Sequence, residues 1–110
     1  MFESEELDVM HTRRLRGLVL EMVAANHKLQ RPHMDDTLLW GVVSRAAGFS
    51  VGQRDVVTAL QDLKDRGYVT FEEKKDNWLN RVKIQRIGIT PMGRDLLERN
   101  RKEDPAVMIS

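Results

Sequence analysis

Apolar residues recur along the chain with two different periods, and the places where one period replaces the other mark out its elements. Leu15, Leu18, Val19, Met22 and Val23 form a stripe at helical spacing and predict a first helix ending near His27 and Lys28. Ser4 suits its N-cap, with Glu5 and Glu6 at the positive end of the helix dipole. Gly17 costs up to about 1 kcal/mol relative to alanine inside a helix, so the helix could break there or begin near Thr12. Residues 29–36 contain Pro32 and read as a connector with room for a short strand; Asp35 or Asp36 can cap the helix after it. Leu39, Val42, Val43 and Ala46 make the stripe of that second helix, Thr37 to Ala47, and Gly48 ends it by supplying a left-handed residue. Ser50 and Gln53 have the spacing of a capping box, which starts a third helix at Val51. On that helix Val56, Leu60 and Leu63 share an inner face with Ala59 beside them, while Gln53, Arg54, Thr58, Gln61 and Asp62 point elsewhere.

Beyond Gly67 the period becomes two. Tyr68 to Glu73 reads as a strand, Lys74 to Asn80 as a turn rich in Asp and Asn, and Arg81 to Ile89 as a second strand. Val82 and Ile84 alternate, but Ile87 and Ile89 are out of step by one residue, which calls for a bulge near Arg86 or Gly88. Thr90 caps a last helix with Pro91 at its first position and Leu96 and Leu97 inside; it is expected to run from 91 to 103. The stretch 105–110 has no periodicity and is expected to be a loose tail, unless Val107 to Ile109 pack on a partner. The fold class is therefore α+β, a three-helix core with a C-terminal β-hairpin and an additional C-terminal helix, in one domain over 1–104.

Two strings carry a family resemblance. Val57-Thr58-Ala59-Leu60-Gln61-Asp62-Leu63-Lys64-Asp65-Arg66-Gly67-Tyr68-Val69 resembles the recognition helix and strand entry of winged helix-turn-helix regulators of the bacterial MarR and PadR type. Ile89-Thr90-Pro91-Met92-Gly93-Arg94-Asp95-Leu96-Leu97 is similar to the segment that closes their wing and opens the next helix. The matching order spans roughly Leu15 to Arg99, placing the helix-turn-helix at about 37–66 and the wing at about 68–90. The resemblance implies that helix three enters the major groove of double-stranded DNA and that the wing touches backbone or minor groove.

Charge changes this picture only locally. The chain of 110 residues has a net charge of +1, too little to argue for nucleic acid by itself. The hairpin region is richer, with Lys74, Lys75, Arg81, Lys83 and Arg86 against Glu72, Glu73 and Asp76. The third helix, by contrast, sets Asp55, Asp62 and Asp65 against Arg54, Lys64 and Arg66, neutral where many DNA readers are basic. There is no cysteine, so disulfides and thiolate zinc sites are excluded, and a reducing cytoplasm is the simplest compartment. Glu3, Glu5, Glu6 and Asp8 stand where a signal peptide would be basic, and no apolar run approaches bilayer length.

The candidate DNA contacts are Ser50, Gln53, Arg54, Thr58 and Gln61 on the turn and third helix, because arginine suits guanine and glutamine suits adenine. Ser50 is more a cap than a contact, and capping by Gln53 competes with reading bases. In the hairpin Lys74, Lys75, Asn77, Asn80, Arg81 and Lys83 can hold phosphates, or serve only for solubility and edge protection. Trp78 and Leu79 either fold back on the domain, the favoured expectation, or form an exposed patch suited to a groove or a partner. Trp40 on the second helix is expected to be structural. His11, His27 and His33 lack metal-ligand spacing, no phosphate loop or nucleophile elbow occurs, and neither catalysis, a metal nor a cofactor is expected. Two functions are compatible with this pattern: sequence-specific transcriptional regulation, with a homodimer through the first and last helices, or a winged-helix protein–protein interaction module within a larger assembly.

Overall fold

The computed structural model describes residues 8–28, 34–78 and 81–109. Its elements run α1 (Val9–Lys28), α2 (Asp36–Ala46), α3 (Gln53–Asp65), β1 (Val69–Asp76), β2 (Arg81–Ile89) and α4 (Pro91–Leu97). It is thus a small α+β domain, three helices followed by a two-stranded antiparallel hairpin and a C-terminal helix. The core is drawn largely from the stripes the sequence displays: Leu15, Val19 and Val23 of α1, Leu39 and Val43 of α2, and Val56, Ala59, Leu60 and Leu63 of α3 are buried, and Leu18 and Met22 partly so. Leu20, outside the α1 stripe, is also fully buried, whereas Val42 and Ala46 of the α2 stripe are exposed. Val69 and Phe71 of β1 and Ile84 and Ile87 of β2 continue it into the sheet.

The helix ends explain why these segments stop where they do. The Ser4 cap lies outside the described residues; within them, Asp8 accepts from the His11 amide at 2.8 Å at the start of α1. Asp35 caps α2, accepting from the Leu38 amide at 2.8 Å, and Gly48 follows with φ of 76°. The third helix starts later than expected. Its N-cap is Gly52, not Ser50, and Asp55 accepts from the Gly52 amide at 2.8 Å, so the capping carboxylate comes from one turn inside. At the other end Gly67 takes φ of 86° and the Tyr68 amide reaches back to the Leu63 carbonyl at 2.9 Å, a Schellman closure.

The hairpin contains the anticipated bulge. Thr70 faces Gly88 and Glu72 faces Gln85, so Phe71 opposes two residues, Arg86 and Ile87, and Arg86 adopts φ of 54°. The extra residue shifts the alternation so that Ile84 and Ile87 both reach the core. The first strand runs three residues further than expected, which puts Lys74 and Lys75 on the ladder opposite Lys83 and Val82 and leaves the turn near Asn77 and Trp78. Residues 29–33 lie outside the described part, but Met34 just beyond them accepts from the Ile87 amide at 3.3 Å.

The last helix and the tail depart most from expectation. Thr90 caps α4 by accepting from the Gly93 amide at 3.0 Å. The helix then ends at Leu97, well short of 103, because Arg99 turns left-handed with φ of 60° and the Asn100 amide closes on the Asp95 carbonyl at 2.8 Å. The reversal sends the chain back across α1. Val107 is buried, the Met108 amide donates to the Arg13 carbonyl at 3.0 Å, and a Cβ on Gly17 would overlap the Met108 carbonyl. Residues 105–109 are therefore a packed strap, and Gly17 is its seat, with α1 continuous through it.

Candidate nucleic-acid interface

The inner face of α3 is fixed by Val56, Ala59, Leu60 and Leu63, so the outer face follows from geometry. Arg54, Thr58, Gln61 and Asp65 recur at i, i+4, i+7 and i+11, and all four are exposed. They form one stripe along the helix. Of the expected contacts, Arg54, Thr58 and Gln61 share it. Ser50 is exposed in the preceding turn. Gln53 is placed differently: its side-chain amide donates to Thr37 Oγ1 at 3.0 Å and to Asp36 Oδ2 at 3.3 Å, tying the start of α3 to the start of α2. The structure uses Gln53 as a brace, which the sequence did not disclose.

Three aspartates stand against DNA on a purely sequence-based count, and two are engaged. Asp55 is turned to the Gly52 amide. Asp62 Oδ2 accepts from Arg16 Nη2 at 2.9 Å, and Arg16 in turn donates through Nη1 to the Ala106 carbonyl at 3.2 Å. The half-buried guanidinium thus neutralises a carboxylate on α3 and grips the strap. Asp65 stays on the outer stripe. Two cations are also taken: Lys64 Nζ lies 4.5 Å from the centre of the Phe71 ring, and Arg66 is 3.9 Å from Asp104. Of the side chains on the stripe itself, Arg54 is the cation.

The turn between α2 and α3 is braced from two sides. Trp40 Nε1 donates to the Val51 carbonyl at 2.8 Å, which makes this tryptophan structural. Phe49 stacks on His11 of α1 with ring centres 4.2 Å apart and planes within 5°. These contacts hold the helix pair against α1 as one unit.

On the hairpin Lys74, Lys75, Asn77 and Arg81 are exposed. Lys83 is partly covered and lies 3.5 Å from Asp35, so part of its charge is spent on the α2 cap. Glu72 is 3.6 Å from Arg86, which removes one carboxylate from the arm. Asn80 and Leu79 lie outside the described residues. Trp78 does not fold back: it is 97% exposed in the turn. Among the described residues, the core side of the hairpin ends at Ile84, well short of the tip.

Away from this face, a cleft of about 530 Å³ lies between α1 and the C-terminal segment, lined in part by Arg13, Leu96, Arg101, Val107 and Ile109. Beside it Tyr68 donates from its hydroxyl to Asp104 Oδ2 at 2.7 Å. Burial, and then this bond and the carboxylate charge, push the Tyr68 phenol above its ordinary value. Burial alone would raise the Asp104 carboxyl, but the Tyr68 hydroxyl, the Ala106 amide and the charges of Arg66 and Arg16 outweigh it and hold it lower. Among the described residues no group of three or more His, Asp or Glu could hold a metal ion, and no helix is long and apolar enough to cross a membrane. No model of a known protein family matches the chain, and no curated protein does.

Proposed function

We propose that the chain is a winged helix-turn-helix protein of the MarR and PadR kind that binds double-stranded DNA, with α3 in the major groove and the hairpin on backbone or minor groove. A sequence-specific transcriptional regulator in the cytoplasm is the role this suggests. The observation that carries the reading is the outer stripe of α3: Arg54, Thr58 and Gln61 are presented together while Asp55 and Asp62 are drawn off to the Gly52 amide and to Arg16. Arginine at the N-terminal end of such a helix suits a guanine edge, and the polar pair behind it suits further base or phosphate contacts. Lys74, Lys75 and Arg81 supply a second charged contact on the arm.

Pairing of two copies would double the contact, and an apolar surface for it lies where α1 begins and the strap crosses it. Val9 is 65% exposed, Met10 57% and Met108 39%. The other reading, a winged-helix module that binds protein inside a larger assembly, is favoured by Leu38 and Val42, exposed one turn apart on α2, and by the single cation of the α3 stripe.

Selection of duplexes from a random pool, followed by anisotropy titrations at several salt concentrations, separates the two. Contact with about four to six phosphates gives a log–log salt slope of roughly −4 to −5. Arg54→Ala should then weaken the selected site about 5- to 150-fold. A flat salt dependence with every duplex would leave the protein-binding reading standing.

A further inference from the structure

Outward from the Glu73–Ile84 pair, where Ile84 is the last core residue, the hairpin leaves the body of the protein. Successive strand residues point to opposite faces, yet Lys74, Lys75, Arg81 and Val82 are all exposed, so this length has no core beneath either face, and Lys83 is half-covered through its contact with Asp35. The ladder nevertheless holds to its end, with Asp76 opposite Arg81. Lys74 stands directly opposite Lys83, whose charge is met in part by Asp35 at 3.5 Å, which leaves Lys74 as the exposed cation of the pair. In the turn beyond them Trp78 is 97% exposed, the highest value among the exposed large hydrophobic residues described. An indole at the end of a paired, cation-bearing ribbon fits a target that offers flat apolar faces between rows of negative charge. Stacked base pairs between phosphates have that chemistry.

We infer that the arm is a wedge: Trp78 inserts between adjacent base pairs while Lys74 and Arg81, which share one face of the ribbon, sit on the flanking phosphates, and the duplex kinks at the point of entry. This rests on the DNA-binding reading and adds to it a mode of sequence preference. Pyrimidine–purine steps unstack most easily, so a TA or CA step beneath the tip is favoured without any hydrogen bond to its bases. The exposed glutamate at position 73 stands on the opposite side of the ribbon from Lys74 and Lys83, on the face that carries Ile84 at the root.

The test uses the full chain and 30-base-pair duplexes from the random-pool selection, labelled with a donor and an acceptor at their ends. Wild-type protein should bring the ends together as expected for a kink of about 20 to 90°. Trp78→Ala should bind about 5- to 100-fold more weakly and leave the duplex straight, with Trp78→Phe between them. Circular dichroism of each variant establishes that the fold is kept. A wild-type complex on a straight duplex, or Trp78→Ala bending it as well as wild type does, overturns the wedge and leaves DNA binding intact. Failure of the wild type to bind any duplex overturns both. A blue shift of Trp78 emission with vesicles containing 30% phosphatidylserine, in a Trp40→Phe background, and none with duplex, would reassign the arm to membrane surfaces and overturn the wedge.

Discussion

Replacing Gly17 by alanine sets helix propensity against tertiary packing, and the two predict opposite signs. Alanine in the interior of α1 should stabilise the helix by up to about 1 kcal/mol. Yet the added Cβ would overlap the Met108 carbonyl, which belongs to backbone and cannot step aside as a flexible side chain would. The strap must lift. Lifting exposes Val107, now 4% exposed, and one buried valine contributes about 1.5 to 3 kcal/mol. It also breaks the bond from the Met108 amide to the Arg13 carbonyl, which contributes about 0.5 to 1.5 kcal/mol more. The net expectation is a loss of about 1 to 4 kcal/mol, read as a lower urea midpoint at 222 nm. The control is a chain ending at Asp104, which lacks the strap and in which Gly17→Ala should raise the midpoint instead. The coupling between the two changes measures the contact. If Gly17→Ala stabilises the full chain as much as the shortened one, the strap does not rest on Gly17 and the packing argument fails.

Other perturbations probe the same region and the α3 stripe. Gly93→Ala should destabilise by more than about 1 kcal/mol, because its Cβ would overlap the Tyr68 carbonyl; an unchanged melting curve would contradict the close approach. Asp104 has its carboxyl held low, so its contribution is present above the ordinary aspartate value of about 4 and is lost as pH falls through the lowered value. The melting-temperature gap between wild type and Asp104→Asn should therefore close below about pH 4, and a gap constant from about pH 7 to 2 would refute the assignment. At the alkaline end the raised Tyr68 value gives the opposite sign: stability present below about pH 10 fades as pH climbs through the raised value, and Tyr68→Phe should lack that loss. Arg16→Met should release the Asp62 carboxylate beside the stripe and weaken DNA binding several-fold, with recovery in Arg16→Met/Asp62→Asn; no recovery would mean that the effect came through the strap.

What could be read from the chain was what local spacing controls. The inner face of α3, most of the α1 stripe, the left-handed Gly48 and Gly67, the Thr90 cap and the break in alternation at Arg86 each follow from a handful of neighbouring residues. The α2 stripe is narrower than its spacing suggests, with Leu39 and Val43 buried but Val42 and Ala46 exposed, and Leu20 joins the α1 face from outside its stripe. The departures share a cause in distant contacts. Ser50 with Gln53 and Gly52 with Asp55 are two overlapping cap solutions, and the second prevails while the Gln53 amide is committed to Thr37, 16 residues back. The stop of α4 at Leu97 is needed to bring Asp104 to Tyr68, 36 residues earlier, and nothing in 91–103 announces it. Gly17 reads as a cost because the carbonyl it accommodates is far along the chain. For the candidate site, the direction of Arg54, Thr58 and Gln61 was legible from the helical period. The withdrawal of Asp62 by Arg16, 46 residues away, was not. Trp78 runs against expectation because burial is the usual fate of an indole, and only the length of the ladder beyond Ile84 shows how far the tip stands from the apolar body.

The left-handed Arg86 also divides the hairpin mechanically. Below it the two strands are sewn to the body: Thr90 Oγ1 donates to the Gly67 carbonyl at 2.6 Å, the Thr90 amide to the Tyr68 carbonyl at 3.0 Å, and the Ile87 amide to Met34. Above it, among the described residues, the backbone is held by the rungs between β1 and β2. Amide hydrogens at positions 69 and 89 should consequently exchange with solvent on the timescale of whole-molecule opening, and those at 74 and 83 far sooner. The outer ribbon is a compliant finger on a stiff knuckle, able to settle onto a surface while the rest of the molecule stays put.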